Sequence, residues 1–466
     1  MIKEEILKKA QEVVPSKRQL LWQETGFYGL YSFGMNTFTD SEFGSGGESP
    51  ELFDPEDLNV RLWAKAAKMA EMKGVLLTVK HYDGFCLWPS EYTNHSVKNS
   101  PWKNGEGDLV KELSDACREN GLKFGIFISL WDKHDLRYGT GEEYDKFFKN
   151  QLRELLTNYG DIFMVWLDNT CVPGKKGRRQ SHDMEGIYAL IRELQPDAVI
   201  GGAGPDVRFS GNYVGVCRKA EWSVVPYYYA PGAMQKDDVK PPRKVSFTDL
   251  DLGSRKKIRK GHRLIWFPSE TVMPMRKSWF YHEYEMYDAK PLSKIVDTWY
   301  NTVGGNSCFM LGISPDKNGK IPPQDAETLL SVGAQLQIDF NEDLALDSLM
   351  SASSSEKGCG PENVLLADRD LYWKSSADDE NPWIMIDLTD DYDIDKVVIT
   401  EHIRTGQHVE EFTLYGMVND EWQKLSEGTV IGYKRICRFP EVRVQYMKLV
   451  IEKSRGPVSI ERLEAY

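Results

Sequence analysis

Asp161-Ile-Phe-Met-Val-Trp-Leu-Asp168-Asn-Thr170 is the stretch on which the fold turns. Residues 162–167 hold no charge and no turn former, which suits a short parallel strand covered on both faces. Asp168 comes where that strand stops. In a parallel α/β barrel the reactive groups sit at such C-terminal strand ends. Asp168 is therefore the first candidate for chemistry.

Working outward, strand-like and helix-like segments alternate from about residue 20 to about residue 330. The strands are expected at 28–33, 75–80, 123–130, 162–167, 198–202, 264–268 and 308–313. Helical patterns fall between them at 57–73, 109–120, 142–158, 184–194 and 291–303. Asp57 stands before one helical run, and Gly74 and Gly121 stand after two, as helix-opening and helix-closing residues do. Repeated βα units over this length predict a (β/α)₈ TIM-like barrel. No GxGxxG turn opens a helix, which argues against a doubly wound nucleotide-binding sheet. After about residue 345 the helical period gives way to short alternating segments at 383–388, 396–399, 412–415 and 444–451. These predict an all-β sandwich, with 335–347 as connector. The division expected is 1–345 for the barrel and 346–466 for the sandwich.

Composition bounds the function. The chain has 466 residues, 41% hydrophobic and 28% charged, and a net charge of -13. That negative balance argues against nucleic acid and against anionic membrane as partners. No apolar run approaches the roughly 18 residues of a membrane span. Seven scattered cysteines without CxxC spacing predict neither a zinc site nor a disulfide framework. The first residues, MIKEEILKKAQEVVPS, read as an amphipathic helix rather than a signal peptide, so a periplasmic or extracellular location would require a trimmed leader. Thirteen Trp and 22 Tyr supply aromatic faces of the kind on which sugar rings stack.

Other strand ends add polar and aromatic groups. His81 and Tyr82 follow the strand at 75–80, Trp131 follows 123–130, and Glu270 follows 264–268. Their convergence with Asp168 at one barrel face predicts a carbohydrate pocket. A retaining glycosidase needs two carboxyl groups about 5–5.5 Å apart, one as nucleophile and one as general acid. Asp168 suits the first role. With 71 acidic residues, composition leaves the second open.

Several motifs carry a resemblance. They include Phe33-Gly-Met-Asn-Thr-Phe-Thr39, Lys80-His-Tyr-Asp-Gly-Phe-Cys-Leu-Trp-Pro-Ser90, Ser129-Leu-Trp-Asp-Lys-His134 and Val165-Trp-Leu-Asp168. Further along come Gly204-Pro-Asp-Val-Arg208, Glu221-Trp-Ser223, Trp266-Phe-Pro-Ser-Glu270, Trp279-Phe-Tyr-His282 and Val303-Gly-Gly-Asn-Ser307. Over nearly its whole length the chain resembles glycoside hydrolase family 29, the α-L-fucosidases. The resemblance implies a retaining mechanism on α-linked fucose, a carbohydrate partner, no cofactor, and Asp168 as nucleophile. It also implies a sugar-binding shell at Ser32, Glu42, Phe43, His81, Tyr82, Trp131, Trp166 and Glu270.

The chain departs from the family's pattern inside that shell. Gly211-Asn212 is followed by Tyr213 where the resemblance implies the acid/base Glu. Ser32 and Tyr82 stand where His is usual, Phe43 where Trp is usual, and Leu167 and Asn169 replace the Phe and Gly flanking Asp168. Two expectations follow. Either another carboxylate, Glu221 first and Glu270 second, serves as acid with a changed glycone preference, or the barrel is a catalytically impaired sugar binder. The alternative for Glu221 is a purely structural role at its strand end. The C-terminal segment resembles discoidin-like F5/8 type C domains through Ser351-Ala-Ser-Ser354, Asp368-Arg-Asp370, Trp373 and Trp383-Ile-Met-Ile-Asp-Leu388.

Overall fold

The computed structural model describes residues 2–168, 170, 172–173, 177–231, 249–259 and 263–466. Among these residues, ten strands belong to the first domain: β1 Phe27–Tyr31, β2 Gly74–Lys80, β3 Lys123–Ser129, β4 Met164–Asp168, β5 Val199–Gly202, β6 Arg208–Phe209, β7 Val224–Pro226, β8 Leu264–Trp266, β9 Ser269–Pro274 and β10 Ser307–Ile313. Eight of them form one sheet in the order β5-β4-β3-β2-β1-β10-β9-β6, and every ladder in it is parallel. The ring is nearly closed: β5 and β6, the two ends of that order, approach each other without a ladder among the described residues. The expected barrel is present. All residues of β2, β4 and β10 are buried, as strands covered by helices outside and by packed side chains inside must be.

Three local expectations need correction. The segment at 264–268 is not a barrel strand: β8 pairs antiparallel with β7 in a separate ribbon, and the barrel strand is β9. Pro268 and the charge of Glu270 made 269–274 read as a strand's end. Asp57 does not open the helix Val60–Met69; Asn59 does, its side chain accepting from the backbone N–H of Arg61. Gly74 is the first residue of β2 rather than a helix cap, and the chain turns at Glu71 with φ +62. Gly121, with φ +65, does close the helix Leu109–Glu119.

The last barrel helix, Pro323–Asp339, runs through 335–339, which had read as connector. By Ala345 the chain is already packed in the second core. That domain comprises β11 Leu349–Ala352, β12 Trp373–Lys374, β13 Trp383–Glu401, β14 Val409–Val418, β15 Glu421–Gly428, β16 Arg435–Ser454 and β17 Ser459–Ala465. Its sheet is antiparallel throughout. The 19-residue β13 and 20-residue β16 carry register shifts after Asp387 and Ile394 that let them turn from one layer into the other. The first half of β13 pairs with β11 and the second half with β17, so two layers face each other over Trp373, Ile386, Phe412 and Leu449.

Buried polar contacts tie the domains together. Gln407 accepts from the backbone N–H groups of Ser223 and Val224 at 3.0 and 3.2 Å. Asn306 accepts from the N–H of Tyr433 at 2.8 Å. Glu410 pairs with Arg255 at 2.5 Å and with Arg455 at 3.2 Å.

Candidate active site

Asp168 is the last residue of β4 and sits opposite Ser129 of β3 in the ladder. It is 7% exposed and lies on the wall of a cavity of about 310 Å³ at the C-terminal end of the barrel. A cavity of this size lies at the lower end of ordinary ligand pockets. Its floor is built from inward-pointing strand residues: Leu30, Thr78, Phe127, Trp166 and Met310. Its rim comes from the loops after the strands: Ser32, Glu42, Phe43, His81, Tyr82, Thr170, Tyr213, Trp279 and Phe280.

Both oxygens of Asp168 carry a hydrogen bond. The backbone N–H of Thr170 donates to Oδ1 at 2.9 Å, and the hydroxyl of Tyr82 donates to Oδ2. The Tyr82 hydroxyl also lies 3.0 Å from Thr170 Oγ1. Burial, and then the charge of Asp168, push the Tyr82 phenol well above its ordinary range, so it stays protonated. Its ring is held between Phe43, 5.8 Å away and nearly parallel, and Trp131, 4.9 Å away.

The alternation of the strand end sorts the motif around Tyr82. Lys80 points outward into a buried ion pair with Asp132 at 3.1 Å and a hydrogen bond to Gln151 at 3.0 Å. His81 points into the cavity wall, packed on Phe127 and Phe280. Burial, with a smaller contribution from Lys133, lowers the imidazole to about 3. His81 is therefore a neutral hydrogen-bonding group at physiological pH.

Glu42 is the other carboxylate among the described lining residues, and it is engaged. Its oxygens accept from the backbone N–H groups of Trp279 at 2.8 Å and Phe280 at 3.2 Å, and lie 3.3 Å from His282 Nε2. Tyr213 lines the same cavity with half of its surface exposed. Its ring packs on Phe209 at 4.9 Å and meets Trp279 edge-on at 5.9 Å. Burial of the hydroxyl, then Asp168 and Glu270, push that phenol up as well. The loop below it is fixed by Asn212, whose Oδ1 accepts from Val214 and Val216, both at 3.1 Å.

The structure thus brings Ser32, Glu42, Phe43, His81, Tyr82, Trp166, Asp168 and Tyr213 to one cavity. Three expected site residues are not on its lining. Trp131 stands behind Tyr82, with Lys133 Nζ 4.7 Å from its ring centroid. Glu270 lies under the floor: it is fully buried in β9, where Trp166 Nε1 donates to it at 2.7 Å and the Tyr28 hydroxyl donates to its other oxygen. Burial pushes that carboxyl up to about 7, against the opposing effect of Tyr28 and Trp166. Glu221 is fully buried elsewhere, paired with Arg208 at 2.8 Å and Arg218 at 3.2 Å. Burial alone would raise its carboxyl, but the two guanidinium groups hold it below the usual range. Glu221 is thus engaged by two guanidinium groups away from the cavity lining. Asn169 and Cys171 lie outside the described residues.

Sequence reading missed the floor and Thr170. Leu30, Thr78, Phe127 and Met310 look like any barrel core residue, because the floor of this pocket is the top layer of the core. Trp279 and Phe280 were visible as a motif, but nothing marked them as rim.

A nearly closed parallel barrel with a buried carboxylate in an aromatic pocket at its C-terminal face, joined to an antiparallel module, is a glycoside-hydrolase architecture. Residues 16–340 match the α-L-fucosidase family and residues 350–463 match the F5/8 type C domain. Alpha-L-fucosidase 1 of Arabidopsis thaliana is 37% identical over 462 residues, covering 97% of this chain and 87% of that protein. A glycoside hydrolase 29 family member from an unknown rumen bacterium has 34% identity and a TM-score of 0.80, covering 98% of this chain and 77% of its own. A Ruminococcus gnavus GH29 fucosidase solved in complex with fucose has 26% identity and a TM-score of 0.85, with 98% and 95% covered. The chain belongs to the α-L-fucosidase family.

Proposed function

We propose that the cavity takes one terminal α-L-fucosyl unit and that Asp168 attacks its anomeric carbon, giving a covalent glycosyl-enzyme and retention overall. The observation that carries this reading is the setting of Asp168: a strand-end carboxylate in an aromatic cavity, each oxygen oriented by one hydrogen bond from the described residues. In the first step the Asp168 oxygen bonds to the anomeric carbon, and the bond to the leaving oxygen breaks with its electron pair. In the second, water attacks the same carbon, its proton passes to solvent, and the ester bond breaks to restore the carboxylate. Ser32 and neutral His81 offer hydrogen bonds to sugar hydroxyls. Phe43 and Trp279 supply apolar faces.

Tyr213 sets the limit of this activity. It stands where the family pattern places the carboxyl that protonates the leaving oxygen and then deprotonates water. A phenol held protonated cannot take a proton from water at neutral pH, and it is a weak donor. Substrates whose leaving group departs as a stable anion are therefore preferred over ordinary glycans. The position of Glu42, pinned by two backbone amides, supports the same view. It also favours a second reading, sugar binding without turnover.

Incubation with 2-deoxy-2-fluoro-α-L-fucosyl fluoride and peptide mass spectrometry decide between them. A fluorofucosyl adduct on the peptide holding Asp168, absent in Asp168→Asn, is the expected result. No adduct and no release from aryl α-L-fucosides, together with a fucose-dependent rise in melting temperature, would establish the binding reading instead.

A further inference from the structure

The contact between Tyr82 and Asp168 has a consequence for the second half of the reaction. We infer that Tyr82 is a positioning residue whose hydroxyl makes Asp168 a better leaving group when the glycosyl-enzyme breaks down, offsetting in part the base that Tyr213 cannot supply. The inference rests on the nucleophile reading above and adds a residue to it.

The geometry is specific. The hydroxyl of Tyr82 points at Oδ2 of Asp168 rather than into the open cavity. Its second neighbour, Thr170 Oγ1 at 3.0 Å, belongs to the segment whose N–H binds Oδ1 of the same carboxylate. The ring cannot swing away easily, because Phe43, Trp131 and His81 pack against it, His81 with a centroid separation of 4.0 Å. The hydroxyl is thus committed to the carboxylate.

A donor fixed on a carboxylate stabilises its charged form. In the glycosylation step charge leaves Asp168, so the hydrogen bond gives no help. In the deglycosylation step the ester bond between the anomeric carbon and Asp168 breaks and the electron pair returns to the carboxylate. The donor then stabilises the charge that develops. A hydrogen bond to a charged group corresponds to about 10- to 100-fold in an equilibrium constant. Part of that factor reaches the rate. Where an acid/base carboxyl is missing, water attack is the slow step for a donor with a good leaving group, so the factor falls on kcat.

The test is Tyr82→Phe, which keeps the ring and its packing. With 2,4-dinitrophenyl α-L-fucoside, kcat is expected to fall by about 10-fold or more while kcat/KM holds or rises, so that KM falls with kcat. Reactivation of the fluorofucosyl adduct should slow by the same factor in water and in azide, because azide replaces the nucleophile but not the leaving group. A purely structural role would lower kcat and kcat/KM together or lower the melting temperature, without this split. Equal reactivation rates in wild type and Tyr82→Phe, with Asp168 labelled in both, would overturn this inference and leave the nucleophile assignment standing. If Tyr82→Phe folds poorly, the Tyr82→His variant, which restores a shorter donor, is expected to show an intermediate reactivation rate; a rate equal to wild type counts against the inference. Absence of any Asp168 adduct in the wild type overturns both.

Discussion

Glu270 offers a sharp test of how the pocket floor is built. It lies inside the barrel with no exposed surface, bonded to Trp166 and Tyr28, and burial pushes its carboxyl from the usual 4.5 up to about 7. Below pH 4.5 the group is protonated in both the folded and the unfolded chain, and folding is unaffected by it. Between 4.5 and 7 the unfolded chain releases the proton and the folded chain keeps it, so stability falls as pH rises. Above 7 the loss levels off. A difference of 2.5 between 4.5 and about 7, at 1.36 kcal/mol each, makes the loss about 3 kcal/mol. Glu270→Gln removes the titration: its carbonyl can accept from Trp166 Nε1 and its amide can face the Tyr28 oxygen. The wild-type melting temperature should therefore decline relative to the variant between pH 4.5 and 8, by about 3–6 °C for a domain of this size. Differential scanning calorimetry of both proteins across that range is the assay. Parallel curves would refute the argument, since they would mean that Glu270 ionises as freely inside the barrel as in water.

Two further outcomes are expected. Tyr213→Glu should raise hydrolysis of a fucosylated oligosaccharide by about 10²–10⁴-fold, the worth of a general acid, and change an aryl fucoside with an acidic leaving group far less in the first step; equal effects on both substrates, measured as kcat/KM, would count against proton transfer at this position. Arg276→Met should cost about 3–5 kcal/mol by urea denaturation, because Arg276 binds Asp325 through two 2.9 Å bonds with both side chains fully buried, and Asp325→Leu in the same chain should recover most of the loss.

The barrel was legible because its strands are buried on both faces and its helices are amphipathic. Periodicity separates those two patterns cleanly at β2, β3 and β4. It failed at β9 for a physical reason. A charged residue in a barrel strand contradicts the apolar run that periodicity seeks, and only Tyr28 and Trp166, more than 100 residues away in sequence, make Glu270 tolerable there. The same holds for Glu221, which read as a spare carboxylate because Arg208 and Arg218 could not be matched to it without the fold. Local signals likewise gave Asp57 and Gly74 roles that belong to Asn59 and Glu71.

The site was legible by residue type but not by assignment of partners. Asp168, His81 and Tyr82 stood out at strand ends and Tyr213 through the family resemblance, and the four share one cavity. What each one touches decides its chemistry. Tyr82 read as a sugar-binding group, yet its hydroxyl is given to Asp168. Glu42, which carries a charge into the same cavity, has that charge fixed by the amides of Trp279 and Phe280. Among the described lining residues stand one carboxylate engaged by backbone amides, one strand-end carboxylate hydrogen-bonded at both oxygens, and two phenols pushed up by burial, which hold their protons firmly. On the mechanism proposed above, such a site favours bonds whose electrons leave unaided. On that proposal the proton inventory of the cavity, more than its shape, sets which fucosides are turned over.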